Sequence, residues 1–446
     1  MKRNSIWALL LVIIPTVMAQ EPTDSGEILK RLDRLEEQNR QIMEEIKALR
    51  EQLAASATTA ETEPAAAPLE ERVAVQERRT ADLDESKVGA EHKLPVQLTG
   101  TVLFNAFSNG RYSGGQLDPV VAAPVAGQSN AGGTLRQSII GFRFDGPEIL
   151  GGAKTSGTLL LDLFGGSGSD LNQLVRLRIA TLDIAWKNTT LSFGQQKPII
   201  APRDPDSLAQ VGVSPLTGAG NLWLWAPQFR VEQRLALGEQ SGLRAQLGVY
   251  QTNEAVDDVP SPYAGTVSPA RPALQGRFEW WGQYGERRFE FAPGFHLSDS
   301  HVAGITVPSR IFTVDWLIRP FRAIDFTGAF FNGENTAVVG GLRQGIAFSP
   351  WDLPRATHST GGWAQLAVRA TPRISFHFYG GQQDDHNSDF GYGHAIGKNQ
   401  AYAGNIMYRL GSNLLTSFEI SRVRTTYLQS DTTRNTHYDL ALAYLF

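Results

Sequence analysis

The chain contains no cysteine. That excludes a disulfide scaffold, thiolate zinc or iron–sulfur ligation, cysteine nucleophiles and an N-terminal lipoprotein anchor. Charge is sparse as well: 19% of residues are Asp, Glu, Lys or Arg, and the net charge is −4, which argues against a nucleic-acid protein. Beyond residue 19 no apolar run approaches the roughly 18 residues of a spanning helix. A nucleophile elbow, an HExxH zinc motif and a phosphate-binding glycine loop are absent too. What is abundant is glycine (44) and aromatics (22 Phe, 11 Tyr, 9 Trp) over 446 residues, a length that exceeds one soluble core.

At the front, Lys2 and Arg3 precede an apolar run from Ile6 to Val17, and Val17-Met18-Ala19 stands before Gln20. A basic start, an apolar stretch too short to span and a small-residue cleavage site predict a signal peptide over 1–19. Cleavage after Ala19 would deliver the rest to the periplasm of a diderm bacterium.

Residues 20–54 predict a periplasmic coiled coil. Ile28, Leu32, Leu35, Asn39, Ile42, Ile46, Leu49 and Leu53 fall at an unbroken 4-3 spacing, which is a heptad seam. Arg31 with Glu36, and Glu45 with Arg50, form opposite-charge flanking pairs that suit parallel strands. Asn39 at a core position fixes register at a cost in stability, while mixed Ile and Leu leave dimer against trimer open. A single amphipathic helix lying on a surface would show a wider apolar stripe. Residues 55–93, rich in Ala, Thr, Glu and Pro, read as a flexible linker.

From Leu94 the period changes to two, and residues 94–446 predict an all-β barrel domain. Tyr438, Leu440, Leu442, Tyr444 and Phe446 alternate with His437, Asp439, Ala441, Ala443 and Leu445. Phe312-Val314-Trp316-Ile318 alternate likewise with Thr313-Asp315-Leu317-Arg319, as do Phe376 and Phe378 with His377. Apolar faces ending in aromatics, opposite faces carrying charge, are the lipid band and lumen of an outer-membrane barrel. Sixteen such segments are counted, with long connections after odd strands (108–134, 198–221, 252–272, 333–361, 384–398) and short ones after even strands. The expected fold is a 16-stranded antiparallel transmembrane β-barrel with both termini periplasmic. A parity change in the fourth strand, with Val175, Leu177 and Ile179 outward and then Leu182 and Ile184, predicts a bulge near Ala180–Thr181.

These segments, the long loop 198–221 and the ending Leu442-Tyr444-Phe446 resemble the general trimeric porins of outer membranes. With the N-terminal coiled coil, the chain resembles the DcaP-like and phosphate-selective porins. The resemblance implies a homotrimer, a third loop folded inward as a constriction, and recognition of terminal Phe446 by barrel-assembly machinery. Outer-membrane lipid and lipopolysaccharide would surround the barrel, and the coil could reach peptidoglycan; no nucleic acid, cofactor or metal is expected.

Of the 28 basic residues from 94 on, 24 are arginine, a fork suited to carboxylate or phosphate. Parity puts Arg143, Arg176, Arg178, Arg230, Arg234, Arg244 and Arg277 on the lumen face. If loop 198–221 folds inward, Asp204 and Asp206 would oppose this row across a narrow gap, or Arg203 and Lys197 would join it. Alternatively, the arginines pair with wall acids and only stiffen the barrel. Trp223-Leu224-Trp225 and Trp280-Trp281 suit an aromatic girdle or a sugar slide. Asp384-Asp385-His386-Asn387-Ser388-Asp389 gathers oxygen ligands without calcium-loop spacing. The expected function is a porin for small polar solutes with mild anion preference, not an enzyme. The alternative is a structural anchor whose coil tethers the membrane to peptidoglycan; a third, enzymatic reading would rest on His377 or His437.

Overall fold

Strand alternation governs everything from Val96 onward in the computed structural model. It describes residues 96–446 except 150, 167–172, 255, 258, 271, 349–352 and 391–394. The expected signal peptide, heptad seam and linker lie outside the described residues. The chain divides into two units, 1–90 and 91–446, and the second is the barrel.

Its strands are β1 (Val96–Asn109), β2 (Asn130–Thr134 continued by Ile139–Ile149), β3 (Ala153–Gly165), β4 (Leu174–Ala185), β5 (Thr189–Gln196), β6 (Ala226–Ala236), β7 (Ser241–Tyr250) and β8 (Ala273–Tyr284). There follow β9 (Arg287–Val302), β10 (Ile305–Phe321), β11 (Ile324–Glu334), β12 (His358–Arg369), β13 (Ile374–Asp385), β14 (Ile396–Arg409), β15 (Leu414–Tyr427) and β16 (Thr433–Leu445). Both pieces of β2 pair with β1, so they form one strand with a break at 135–138. Each strand pairs antiparallel with the next, and β16 closes on β1 from Thr101–Leu445 to Asn109–His437. The last residue belongs to this seam: Phe446 and Gly100 exchange two backbone bonds, 2.9 and 3.1 Å. Closure leaves no edge, the condition for β structure in lipid.

The burial pattern is that of a soluble protein turned inside out. Outward Phe291, Phe312, Phe378 and Leu440 are about half exposed, whereas inward Gln275, Asp315, Glu419 and Asp439 are buried. Tyr438, Leu440, Leu442 and Tyr444 face out and His437, Asp439, Ala441 and Ala443 face in, as their alternation predicts.

Three details depart from the sequence reading. The β4 bulge sits at Arg178, because Leu160 pairs with Ile179 and Leu161 with Leu177. Ile179 therefore takes the lumen parity of Asp162, not the outward one. The expected break between the ninth and tenth strands is instead a continuous hairpin turning at Ala303-Gly304, with φ of 48° and 85°. Its upper residues, such as Ser298-Asp299-Ser300-His301, are polar on both faces, so period two vanishes there while backbone pairing continues. Finally, β2 begins at Asn130, inside the expected first loop.

Candidate functional site in the lumen

The segment from Lys197 to Trp225, between β5 and β6, does not stay outside. It runs around the inner wall, tied to one strand after another. Ile199 N–H donates to Gln275 of β8 at 2.8 Å, and Ile200 packs with Tyr250, Ala273 and Ile311. Arg203 Nε donates to Asp315 of β10 at 2.8 Å, and its other arm pairs with Glu290 of β9. Asp206 exchanges bonds of 2.6 and 2.7 Å with Gln365 of β12. Ser207 donates to Glu419 of β15 at 2.7 Å, and Asn105 of β1 donates to the Leu208 carbonyl at 2.8 Å. Gln137, in the β2 break, donates to the Ala209 carbonyl at 2.6 Å. Arg176 of β4 donates to the Gly212 carbonyl at 2.5 Å. Pro198, Pro202, Pro205 and Pro215 lack backbone donors and hold φ, so the wall's side chains carry much of the pairing that an irregular backbone needs.

The seven row arginines do not form one free face. Arg176 and Arg178 both reach buried Asp162, Arg176 through a fork of 3.1 and 2.6 Å. Their guanidiniums also lie over Trp225, at 5.1 and 4.4 Å from its ring centre. Arg277, buried, grips Asp315 and Glu279, each at 2.7 Å, and Arg244 joins Glu279 at 2.5 Å. Arg234 pairs with Glu232 at 2.7 Å, and Arg230 donates to Gln228 and to the Lys197 carbonyl, both at 2.9 Å. Arg143 is exposed on β2. Pairing with wall acids therefore accounts for five of the seven: Arg176, Arg178, Arg234, Arg244 and Arg277.

Asp204 lies near enough to Arg178 of that row to interact with it electrostatically, whereas Asp206 turns to another part of the wall. Asp204 pairs with Lys197 of its own loop and accepts from Ser214 at 2.6 Å. Asp206 faces β12 and β13, 3.4 Å from His377. Burial would raise its carboxyl, but hydrogen bonds from His377 and Gln365 and the nearby Arg369 outweigh this and hold it below the ordinary carboxylate range. Arg203 shares Asp315 with Arg277 and lies 3.8 Å from Glu279, which Arg244 and Arg277 also hold, so it stands beside these two members of the row.

The open space lies below the loop, at the end of the barrel where the short turns are. A cavity of about 1150 Å³ is bounded by Lys197, Asp204 and Asp206 above and by Arg322, Arg369, Arg373 and Arg409 on the opposite wall. A second, of about 250 Å³, has Arg234, Arg244 and Arg288 beside Glu279 and Glu290. Among the described residues no carboxylate lies within ion-pair distance of Arg322, Arg373 or Arg409. Parity reading missed these three because they sit at or beside the short turns, where strand alternation ends. Their signal was the recurrence of arginine at successive turns: Phe321-Arg322, Pro372-Arg373 and Arg409-Leu410.

The remaining candidates separate. Trp280 faces outward, half exposed, while Trp281 lines the smaller cavity and Trp225 receives the arginines; no continuous aromatic slide forms among them. Asp384 pairs with Lys398 at 2.6 Å, and Asp385 turns inward to Gln344 and Gln383, so these two carboxylates of the oxygen-rich loop point apart. His377 Nε2 lies 2.9 Å from Ser375 Oγ and its Nδ1 3.4 Å from Asp206, so a hydroxyl, an imidazole and a carboxylate stand in series at the edge of the cavity, whereas His437 bonds only Asn109, at 2.8 Å.

Among solved structures, the chain is similar to the outer membrane channel DcaP of Acinetobacter baumannii. The TM-score is 0.63 at 15% identity, over 79% of this chain and 97% of that one. It is also similar to an anion-selective porin from Comamonas acidovorans, with TM-score 0.53 at 13% identity, over 79% and 100% of the two chains. At these identities the likeness is one of fold: a sixteen-stranded porin-type barrel, of the kind found in DcaP. No family model matches the chain, and no curated protein matches it.

Proposed function

We propose that this protein is an outer-membrane porin, a water-filled channel for passive diffusion of small polar solutes with mild preference for carboxylate and phosphate anions. The observation that carries this reading is the large cavity beneath the inward loop, where four arginines face Lys197 and two carboxylates. Guanidinium forks replace part of an anion's hydration shell, and a charged constriction penalises apolar solutes and like charge. Arg143, Arg176, Arg178, Arg230, Arg234, Arg244, Arg277, Arg203, Asp204 and Asp206 then line the path or stiffen the wall that shapes it. The porin-type fold of the two neighbours, one of them named as anion-selective, supports the same reading.

In this reading the barrel is a homotrimer in the outer membrane, its termini and short turns face the periplasm, and Phe446 is read by assembly machinery. The signal peptide directs export and the coiled coil stands in the periplasm.

The test is the reversal potential of purified protein in a planar bilayer under a potassium chloride gradient. Steady channels with anion selectivity that weakens in Arg369→Gln/Arg373→Gln/Arg409→Gln are expected. Unaltered selectivity in that variant would remove the arginine wall from the path. Absence of any conductance would leave the barrel as an anchor for the periplasmic rod.

A further inference from the structure

At the rim opposite the short turns, the ends of β11, β12 and β13 bring together residues far apart in the chain. His358 opens β12, Glu334 closes β11, and His386 and Asp389 belong to the turn that follows β13. One ligand atom each from His358, His386 and Asp389 lies within 4.8 Å of the others. His358 Nε2 is 3.5 Å from the Glu334 carboxylate, and its Nδ1 is 3.1 Å from Asp389 Oδ2. The two imidazoles stack with centres 5.6 Å apart.

We propose that His358, His386 and Asp389, with Glu334 behind His358, form a binding site for a divalent transition metal of the zinc class. Two imidazoles with one carboxylate and an open fourth position suit Zn²⁺, Cu²⁺ or Ni²⁺, whereas Ca²⁺ and Mg²⁺ call for oxygen throughout. Tetrahedral ligation at bond lengths of about 2.0–2.1 Å requires these atoms only to close inward, and His358 is free to do so because its side chain is exposed. Its Nε2 faces the Glu334 carboxylate at 3.5 Å, the arrangement that orients a ligating imidazole and leaves Nδ1, beside Asp389, for the ion.

The backbone around the cluster is held before any ion arrives. His386 N–H donates to the His358 carbonyl at 2.9 Å, and His358 N–H donates to Asp389 at 2.8 Å. Arg355 donates to the Ser388 and Asp389 carbonyls at 3.0 Å each, which pins the turn from outside. Protonated, the two stacked rings would repel, and a shared cation in place of two protons removes that repulsion. Bound metal would clamp the segment after β13 to the rim.

The experiment uses the full chain in detergent, stripped of metal and titrated with Zn²⁺ alone by calorimetry and with Co²⁺ by visible absorption. One equivalent per chain is expected, with a tetrahedral cobalt spectrum. His358→Ala/His386→Ala should lose both signals, and Asp389→Asn should weaken binding about tenfold or more. Equal binding in the double variant, or no saturable binding by the wild type, overturns the proposal. Heat-dependent migration on gels reports whether the variants keep the barrel. Because binding is read without conductance, failure here leaves the channel reading untouched.

Discussion

Arg203, on the segment that enters the barrel, lies 2.8 Å from Asp315 on β10, the carboxylate that Arg277 holds at 2.7 Å from the neighbouring strand but one. One buried acid thus joins the loop to the wall and is shared by two guanidiniums, whose remaining charge Glu290 and Glu279 meet. Asp315→Asn leaves both cations short of a partner, and breaking such a buried group costs about 3–5 kcal/mol. The variant should lose its heat-resistant gel migration at lower temperature and give noisier single channels. Arg203→Gln should do less, since Arg277 keeps Asp315 and Arg288 keeps Glu290.

Asp162 makes a ranked prediction for the two arginines beside it. Arg176 holds it through a fork at 3.1 and 2.6 Å, whereas Arg178 makes a single contact at 3.5 Å. Arg178→Gln should fold normally, and Arg176→Gln should yield less folded barrel. The double variant should yield least, because a carboxylate with no exposed side-chain surface keeps no cationic partner. Yield of heat-modifiable protein in refolding assays measures this order.

Gly220 sits at φ of +102°, and a Cβ there would meet the Gly362 carbonyl at 2.2 Å. Left-handed backbone costs a side chain roughly 1–2 kcal/mol, and the clash adds to it. Gly220→Ala should unseat the returning limb of the loop while leaving the wall closed. Faster proteolysis between 197 and 225, with unchanged heat-modifiable migration, is the expected outcome.

Asp118, in the connection between β1 and β2, supplies a pH dependence. Burial pushes its carboxyl up to about 7; Arg136 nearby only partly opposes this, and Glu419 adds to it. The folded protein therefore holds a proton that the unfolded chain releases near pH 4, so stability falls as pH rises from about 4 to about 7. Asp118→Asn should flatten that decline. Thermal midpoints at pH 4.5, 6 and 8, compared with wild type, check both sign and window.

The proposed coiled coil can be tested by deletion of residues 20–60. If it helps subunits assemble, trimer yield and heat resistance should drop; unchanged values restrict it to a tether.

Which segments are strands, and which of their faces meets lipid, was legible in the sequence. Phe312, Phe378 and Leu440 could not be buried against a core when their neighbours Asp315, His377 and Asp439 carry polar groups of the other face. Sixteen strands, alternating loop lengths and a closed seam followed from that pattern. The β4 bulge was legible within two residues, because a parity change demands an extra residue somewhere nearby. The β9–β10 hairpin was hidden where both faces become polar.

The charged partnerships were not legible. Parity places Arg277 and Asp315 on the same face but says nothing of their meeting across strands, which depends on register. Nor could local pattern show that loop 197–225 spends its carboxylates on Lys197 and Gln365 and leaves the unpaired arginines to the turns at 322, 373 and 409. The sequence by itself determined an alternating wall with a polar, arginine-rich lumen, because lipid on one side and water on the other impose period two on every strand. Tertiary structure alone decided which of those charges neutralise one another, because ion pairing falls off within a few ångströms and those distances exist only once sixteen strands have closed around the loop.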